Sequence, residues 1–424
     1  MLLNRIKQNL HQIILIAALG MLATPASAQE IETPAEFAIL MDADTGFILF
    51  QKNADELMHP ASMSKLMTLE ILFQRLEEGS VTLDQEFHIS TEAWRRGGSA
   101  SGSSTMFAEW NSWVPVLDLI RAITVVSGND ACIAIAEAIS GTEADFAVTM
   151  TARARELGLE QSIFANSTGW PDPNHVMTAR ELALLAQHIV ETYPDYLPYF
   201  AEESYTWNDH TQPNRNPLLY RFPGADGLKT GHTEASGYGL VGTAERDGRR
   251  LVLVVNGLES ERQRAEESQR LMTLGFNAFR QYDLFAEGDI VGSAEVWGGQ
   301  EQTVPLTIRD DVSVILRREA RRDMRVSINY LGPIEAPIIT GSQVATLRVT
   351  APGVEPQDFP LFAAASVPRT GIVGQIVLAL NHLVFGGLEE DAAREAASLE
   401  TSTEIEPQPT EEAVDETLED QGEE

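Results

Sequence analysis

The sequence predicts an α/β (α+β) chain: an antiparallel sheet covered by helices, followed by a small all-β domain. Three observations predict it. Residues 29–282 carry β-type apolar runs near both ends, around Phe37–Phe50 and Tyr238–Gly257, with helical periodicity between them. Strands at the two ends of a segment with helices between form one sheet layered with helices. From 286 to 365 the pattern becomes short alternating runs, such as Val304, Leu306 and Ile308 or Met324, Val326, Ile328 and Tyr330, divided by turn residues; period two is strand patterning. Finally, 424 residues with 43% hydrophobic content suffice for two or three domains and a large core.

Taken in order, the N-terminus reads as a targeting signal. Arg5 and Lys7 precede an apolar run, Ile13 to Ala23, and Ala26-Ser27-Ala28 is a small-residue cleavage site. That run is shorter than the roughly 20 residues a spanning helix needs. Residues 1–28 are therefore expected to be removed, leaving a mature chain from Gln29 outside the cytoplasm. Phe37–Asp42 and Gly46–Phe50, split by Ala43-Asp44-Thr45, form a hairpin. Pro60, ahead of a run free of Gly and Pro, opens a helix that continues over 65–77. Phe87 to Ser90 is a short strand, and Gly97 to Ser104 a loop rich in Gly and Ser. Leu117 to Val126 is apolar at helical spacing and stops at Ser127-Gly128-Asn129; Asp130 to Ile139 is a second helix whose small residues suit close burial.

Asn166 to His175 is loop. Thr178 then caps a helix through Glu191, with Glu181 three residues on as its capping-box partner. The polar loop Asn214-Arg215-Asn216 leads to Gly227–His232, two paired strands (Tyr238–Ala244 and Arg249–Gly257) and one long amphipathic helix, Glu261 to Tyr282. Beyond the all-β segment, 366–388 is a candidate membrane anchor. Ile372, Ile376, Leu380, Leu383 and Val384 make one apolar stripe, interrupted by Gln375, Asn381 and His382. That pattern fits an interfacial helix better than a spanning one, with a helix docked on the β domain as the alternative. Residues 389–424 hold fifteen Asp/Glu against one Arg and are expected to be disordered. Anionic lipid would repel that tail, so membrane contact is at most peripheral.

The net charge of −33 excludes a nucleic-acid partner, which would need a basic surface. One cysteine, Cys132, excludes an internal disulfide and a Cys-based metal cage and reads as a small buried side chain. His59 and His175 read as loop or packing residues. Trp94, Trp110, Trp113 and Trp170 read as core or rim.

The chemistry is carried by three short signals in order: Ser62-x-x-Lys65, Ser127-Gly128-Asn129 and Lys229-Thr230-Gly231, 65 and 102 residues apart. On a helix Ser62 and Lys65 share a face. A serine hydroxyl needs an adjacent base to become a nucleophile, and a lysine whose pKa is lowered by burial or a nearby cation can be that base. Such a set is characteristic of penicillin-binding proteins and class A β-lactamases. The resemblance is closer still to the low-molecular-weight D-alanyl-D-alanine carboxypeptidases, the S11 serine peptidases. It rests on Met41-Asp42 through Thr68, Ser127 through Cys132, Asn214-Arg215-Asn216 and Asp226 through Thr233, and covers about residues 33–282.

That resemblance implies a transpeptidase/β-lactamase-like catalytic domain and a serine ester formed with a peptidoglycan stem peptide. Ser62 would be the nucleophile and Lys65 its base. Ser127 would pass a proton to the leaving D-alanine, and Asn129 would orient Lys65 or hold substrate. The backbone N–H groups of Ser62 and His232 would form the oxyanion hole. Lys229, Thr230, Gly231, Arg215 and Arg264 would bind substrate and its terminal carboxylate. No cofactor or metal is implied, and β-lactams would be covalent inhibitors. The loop Asn166-Ser167-Thr168-Gly169 does not offer the Glu-x-x-x-Asn context of a β-lactamase base, and Glu156, Glu160 and Glu181 lack that context, so fast β-lactam hydrolysis is not expected. A D,D-endopeptidase is the enzymatic alternative. An idle wall-binding scaffold is the other, and intact Ser62, Lys65, Ser127 and Lys229 argue against it.

Overall fold

The computed structural model describes residues 31–352 and 354–371 and the backbone of Thr401–Ile405. The expected targeting segment and the apolar stripe from Ile372 onward lie outside the described residues. Two compact units are present, Glu32–Phe279 and the chain from Arg280 on.

The first unit is built on a five-stranded antiparallel sheet. Its strands are β1 (Phe37–Asp42), β2 (Ile48–Lys52), β3 (Ala225–Thr233), β4 (Gly237–Arg246) and β5 (Arg249–Leu258), in the order β2-β1-β5-β4-β3. The two ends of the unit thus meet in one sheet, with Leu40 opposite Leu253. Leu251 through Val255 are all buried, so helices must cover both faces of β5. The helices are α1 (Lys65–Glu77), α2 (Val116–Val126), α3 (Asn129–Ser140), α4 (Glu143–Glu156), α5 (Ala179–Thr192) and α6 (Glu261–Ala278). α1 is the central one, with every residue from Lys65 to Phe73 buried. It therefore delivers any polar group at its N-terminus into the core.

The predicted elements hold with local corrections. Ser62 lies in a one-turn 3₁₀ segment, Ala61–Ser64, and the α-helix starts only at Lys65. Gly227–His232 is part of edge strand β3. The long helix stops at Ala278, and Phe279–Phe285 is a strand; Phe279, Tyr282 and Phe285 recur every three residues, which imitates helical spacing. Half of the capping box forms. Thr178 Oγ1 accepts the Glu181 N–H at 3.0 Å, but the Glu181 carboxylate turns to Ser162 Oγ and the Gln161 N–H instead of back to Thr178.

The second unit is all-β. Its seven-stranded sheet comprises β6 (Ile290–Trp297), β7 (Thr303–Thr307), β8 (Arg325–Tyr330), β9 (Ile334–Glu335), β10 (Gln343–Ala351), β11 (Val354–Ala363) and β12 (Thr401–Ile405), ordered β9-β6-β7-β11-β10-β8-β12. The unit runs past the expected boundary at 365. Val367 is buried and pairs with Ile338, and Arg369 bridges to Glu335 at 2.5 Å. The acidic tail, expected to be irregular throughout, contributes β12 antiparallel to β8; its Thr-Ser-Thr run is locally free of acid. Among the described residues no helix is long and apolar enough to cross a membrane.

Candidate active site

The turn carrying Ser62 is set up by its neighbours. Ala61, the first residue of the 3₁₀ turn, has φ +50°, a left-handed conformation sparse for alanine. β3 passes this turn closely. A Cβ on Gly231 would stand 2.9 Å from the Pro60 carbonyl oxygen and 3.0 Å from Met63 Cγ, so only glycine lets the strand approach. On the other side Gly169, at φ +77°, would put a Cβ 2.0 Å from the Ala61 carbonyl oxygen. Two glycines thus clamp the Ser62 turn between β3 and the 166–175 loop.

Lys65 Nζ lies 2.8 Å from Ser62 Oγ and donates to the Thr168 carbonyl at 2.5 Å, with none of its surface exposed. Burial, aided by the positive charge of Arg215, pushes its pKa down to about 8 against the opposing pull of nearby Asp130 and Glu143. When neutral, the amine can keep its bond to Thr168 and turn its lone pair to the Ser62 hydroxyl proton. Ser127 caps α2 in the left-handed region, φ 61°, and the chain re-enters helix α3 at Asn129. This elbow leaves Ser127 Oγ buried without a hydrogen-bond partner among the described residues. Asn129 Nδ2 donates to Ser103 Oγ at 2.9 Å, and its Oδ1 is likewise unpartnered. Lys65 is therefore oriented by Thr168, while Asn129 keeps a free acceptor.

Lys229 and Thr230 come from β3, which also carries Gly231 and His232. Lys229 is buried, its Nζ donating to the Thr230 carbonyl at 3.1 Å. Burial first, then the charges of Lys65 and Arg215, hold its pKa well below the ordinary lysine value. Arg215 donates to Ser104 Oγ at 2.5 Å. Arg264, in the first turn of α6, is buried with its Nε unpartnered; its guanidinium lies 5.8 Å from the Tyr238 ring, which stacks on His232. Two lysines and two arginines converge, with unfilled polar atoms among them. A buried polar group without a partner costs free energy, so this arrangement calls for an anionic, hydrogen-bonding ligand.

The sequence marks the loop that aims Thr168 only as lacking a hydrolytic glutamate, and gives no sign of its bond to Lys65. Asn166 Oδ1 accepts from the N–H groups of Thr168, Gly169 and Trp170 and from Thr168 Oγ1, at 2.8 to 3.2 Å. Glu143 accepts from Ser167 Oγ at 2.7 Å, and Thr68 Oγ1 donates to the Ser167 carbonyl at 2.8 Å. The Asn-Ser-Thr-Gly run was the available signal, since Asn readily hydrogen-bonds the backbone two residues on. The three glutamates weighed as a hydrolytic base are occupied or remote: Glu156 pairs with Arg153, Glu181 with Ser162, and Glu160 is exposed. His175 is a packing residue, edge-on to Phe164. Cys132 is buried. Trp110 and Trp113 are exposed, contrary to a core role, while Trp170 packs against the core.

Comparison with known proteins agrees with this geometry. The family described as D-alanyl-D-alanine carboxypeptidase matches residues 23–260, and the penicillin-binding protein 5 C-terminal domain matches 279–369. The chain is 33% identical to the D-alanyl-D-alanine carboxypeptidase DacC of Escherichia coli K12, over 83% of this chain and 89% of that protein. Among solved structures, penicillin-binding protein 5 of Haemophilus influenzae superimposes with a TM-score of 0.68 at 31% identity, covering 81% of this chain and all of the other. The ampicillin-bound form of penicillin-binding protein D2 from Listeria monocytogenes superimposes with a TM-score of 0.51 at 27% identity, covering 58% of this chain and 99% of the other.

Proposed function

This chain belongs to the D-alanyl-D-alanine carboxypeptidase family, and from that premise we propose a mechanism in which Ser62 is its nucleophile. The protein is a D-alanyl-D-alanine carboxypeptidase of the peptidoglycan pathway. The observation that carries the assignment of Ser62 is the 2.8 Å approach of a fully buried lysine amine to its hydroxyl.

Ser62 Oγ attacks the carbonyl between the two terminal D-alanines of a stem peptide, and its proton passes to neutral Lys65. The oxyanion that develops is met by the N–H groups of Ser62 and His232, fixed in place before the charge appears. As the C–N bond breaks, Ser127 relays a proton to the leaving nitrogen, and D-alanine departs. Water then cleaves the ester, releasing a stem shortened by one residue. Lys229, Thr230, Arg215 and Arg264 hold the carboxylate of the leaving residue, and Asn129 Oδ1 accepts from the substrate backbone. The same site takes β-lactams as slow-leaving acylating agents, because Thr168 presents a carbonyl to Lys65 where a carboxylate base would be needed for fast hydrolysis. The reading places the enzyme in the periplasm after removal of residues 1–28, with the stripe from Ile372 as a peripheral membrane contact.

The test is intact mass after incubation of the purified mature protein with penicillin, for wild type and Ser62→Ala. A penicilloyl adduct on wild type alone, followed by D-alanine release from a pentapeptide, is the expected result. No adduct on a folded wild type would overturn it.

A further inference from the structure

The chain carries 63 acidic against 30 basic residues, yet its β unit holds a short run of the opposite character. Residues 317–325 read Arg-Arg-Glu-Ala-Arg-Arg-Asp-Met-Arg, five arginines against Glu319 and Asp323, hence a local net charge of +3. They form the 3₁₀ turn Arg318–Asp323 and the first residue of β8, Arg325. Arg318, Arg322 and Arg325 are exposed, and the Arg321 guanidinium lies 5.3 Å from the Tyr282 ring. Ion pairs within the β unit engage Arg348 and Arg369, and none among the described residues engages Arg318, Arg321 or Arg322. Cations set this close repel one another, so the run calls for an anionic partner.

The register of the sheet says which partner arrives there. β12 lies antiparallel on β8, with Thr401 opposite Tyr330 and Ile405 opposite Val326. Without β12, β8 would be the edge of the seven-stranded sheet, presenting a row of unpaired N–H and C=O groups. The chain therefore runs along this edge toward Arg325. Carried one residue further, the same register sets Glu406 opposite Arg325, a favourable cross-strand pair. The ladder has no means to continue, because Pro407 and Pro409 lack the N–H it needs. Residues 406–424 hold nine Asp/Glu and no Lys or Arg, so the most acidic part of the chain leaves the sheet where the arginine run begins. Fully extended, those residues span up to roughly 60 Å, and reach along the turn is not limiting. Single exposed ion pairs are weak. Tethering beside the run makes each pair intramolecular, and several weak pairs then act together.

We propose that the arginine run 317–325 is the docking surface for the acidic segment 406–424 of the same chain. The contact is an electrostatic clasp that holds β12 on the sheet edge and fastens the chain beyond the apolar stripe to the β unit. It is tested by hydrogen–deuterium exchange on the full mature chain, read on the peptide covering residues 401–405. At about 50 mM salt, exchange there should be at least about tenfold slower in wild type than in Arg318→Glu/Arg322→Glu, two exposed positions. Raising the salt to about 0.5 M should erase the difference by screening the charges. Adding Glu406→Lys/Glu411→Lys/Glu412→Lys to the reversed protein should restore the protection, which a merely damaged turn would not allow. Equal exchange in wild type and the reversed protein, or no recovery after the charge swap, overturns the clasp. So does equal exchange combined with lost binding to phosphatidylglycerol vesicles in the reversed protein, which would assign the arginines to a lipid surface.

Discussion

The pH dependence of Ser62 acylation follows from the state of Lys65. If its amine is the base, the rate tracks the neutral fraction. With a pKa of about 8, that fraction is about 1% at pH 6, about 10% at pH 7 and about half at pH 8. The ordinary lysine value of 10.5 would leave about 0.03% neutral at pH 7, so burial is asked to supply roughly 300-fold, or about 3 kcal/mol. The assay is the second-order rate of labelling by a fluorescent penicillin between pH 5.5 and 10, where the antibiotic's carboxylate stays ionised. The log rate should climb with unit slope below pH 7 and bend near 8. Arg215→Ala should move the bend upward, because the guanidinium is one of the causes that lower Lys65. A flat profile from pH 6 to 9, or a bend near 10, would refute the assignment of Lys65 as base.

Three further outcomes are expected. Gly169→Ala forces a Cβ to within 2.0 Å of the Ala61 carbonyl at a positive φ, so penicillin acylation should fall at least tenfold and Tm by several degrees; unchanged values would show that the loop does not clamp the Ser62 turn. Arg264→Gln should lower the preference for a peptide ending in a free carboxylate over its C-terminal amide by about tenfold, read as a ratio of kcat/KM values; an unaltered ratio would remove Arg264 from the clamp. Truncation after Gly371 keeps Val367 and Arg369, which are tied into the β unit. The shortened protein should leave membranes in a flotation assay while retaining D-alanine release, and unchanged membrane association would dismiss the apolar stripe as a contact.

Much of the fold was legible because the chain states it locally. The hairpin at 37–52, the helix over 65–77 and the helices flanking Ser127-Gly128-Asn129 each carry their own periodicity and breakers. What was not legible depends on partners distant in sequence. Residues 279–285 mimic a helix until their pairing is known. Thr168 acts through its carbonyl, which any residue would offer, and its aim is decided by Asn166 and by Glu143 through Ser167. Asn129 similarly revealed its type but not its partner, because Ser103 lies in a loop with no periodicity to place it. The order of the three motifs fixed which side chains converge. The charge state of those side chains follows from burial, which only packing determines.

If Lys65 is the base and Lys229, Arg215 and Arg264 are the carboxylate clamp, burial also explains how one site can hold both. Lys65 and Lys229 are both buried, burial is the first cause of each lowered pKa, and the charge of Lys65 lowers Lys229 further. Two ammonium groups cannot both be stable there, so the empty site favours losing a proton. An incoming D-alanine carboxylate stabilises a cation beside it, and the clamp residues Lys229, Arg215 and Arg264 gain most from it. That anion also works against a neutral Lys65, by raising its pKa. The base survives because its low pKa comes first from desolvation and only secondarily from Arg215; binding substrate screens the neighbouring charge but adds no water around Nζ. On that reading Lys229, next to the carboxylate, is the lysine that keeps a proton, and the Lys65 amine stays free beside Ser62. A site that lowered Lys65 by neighbouring charge alone would lose its base on binding the substrate it is meant to cleave.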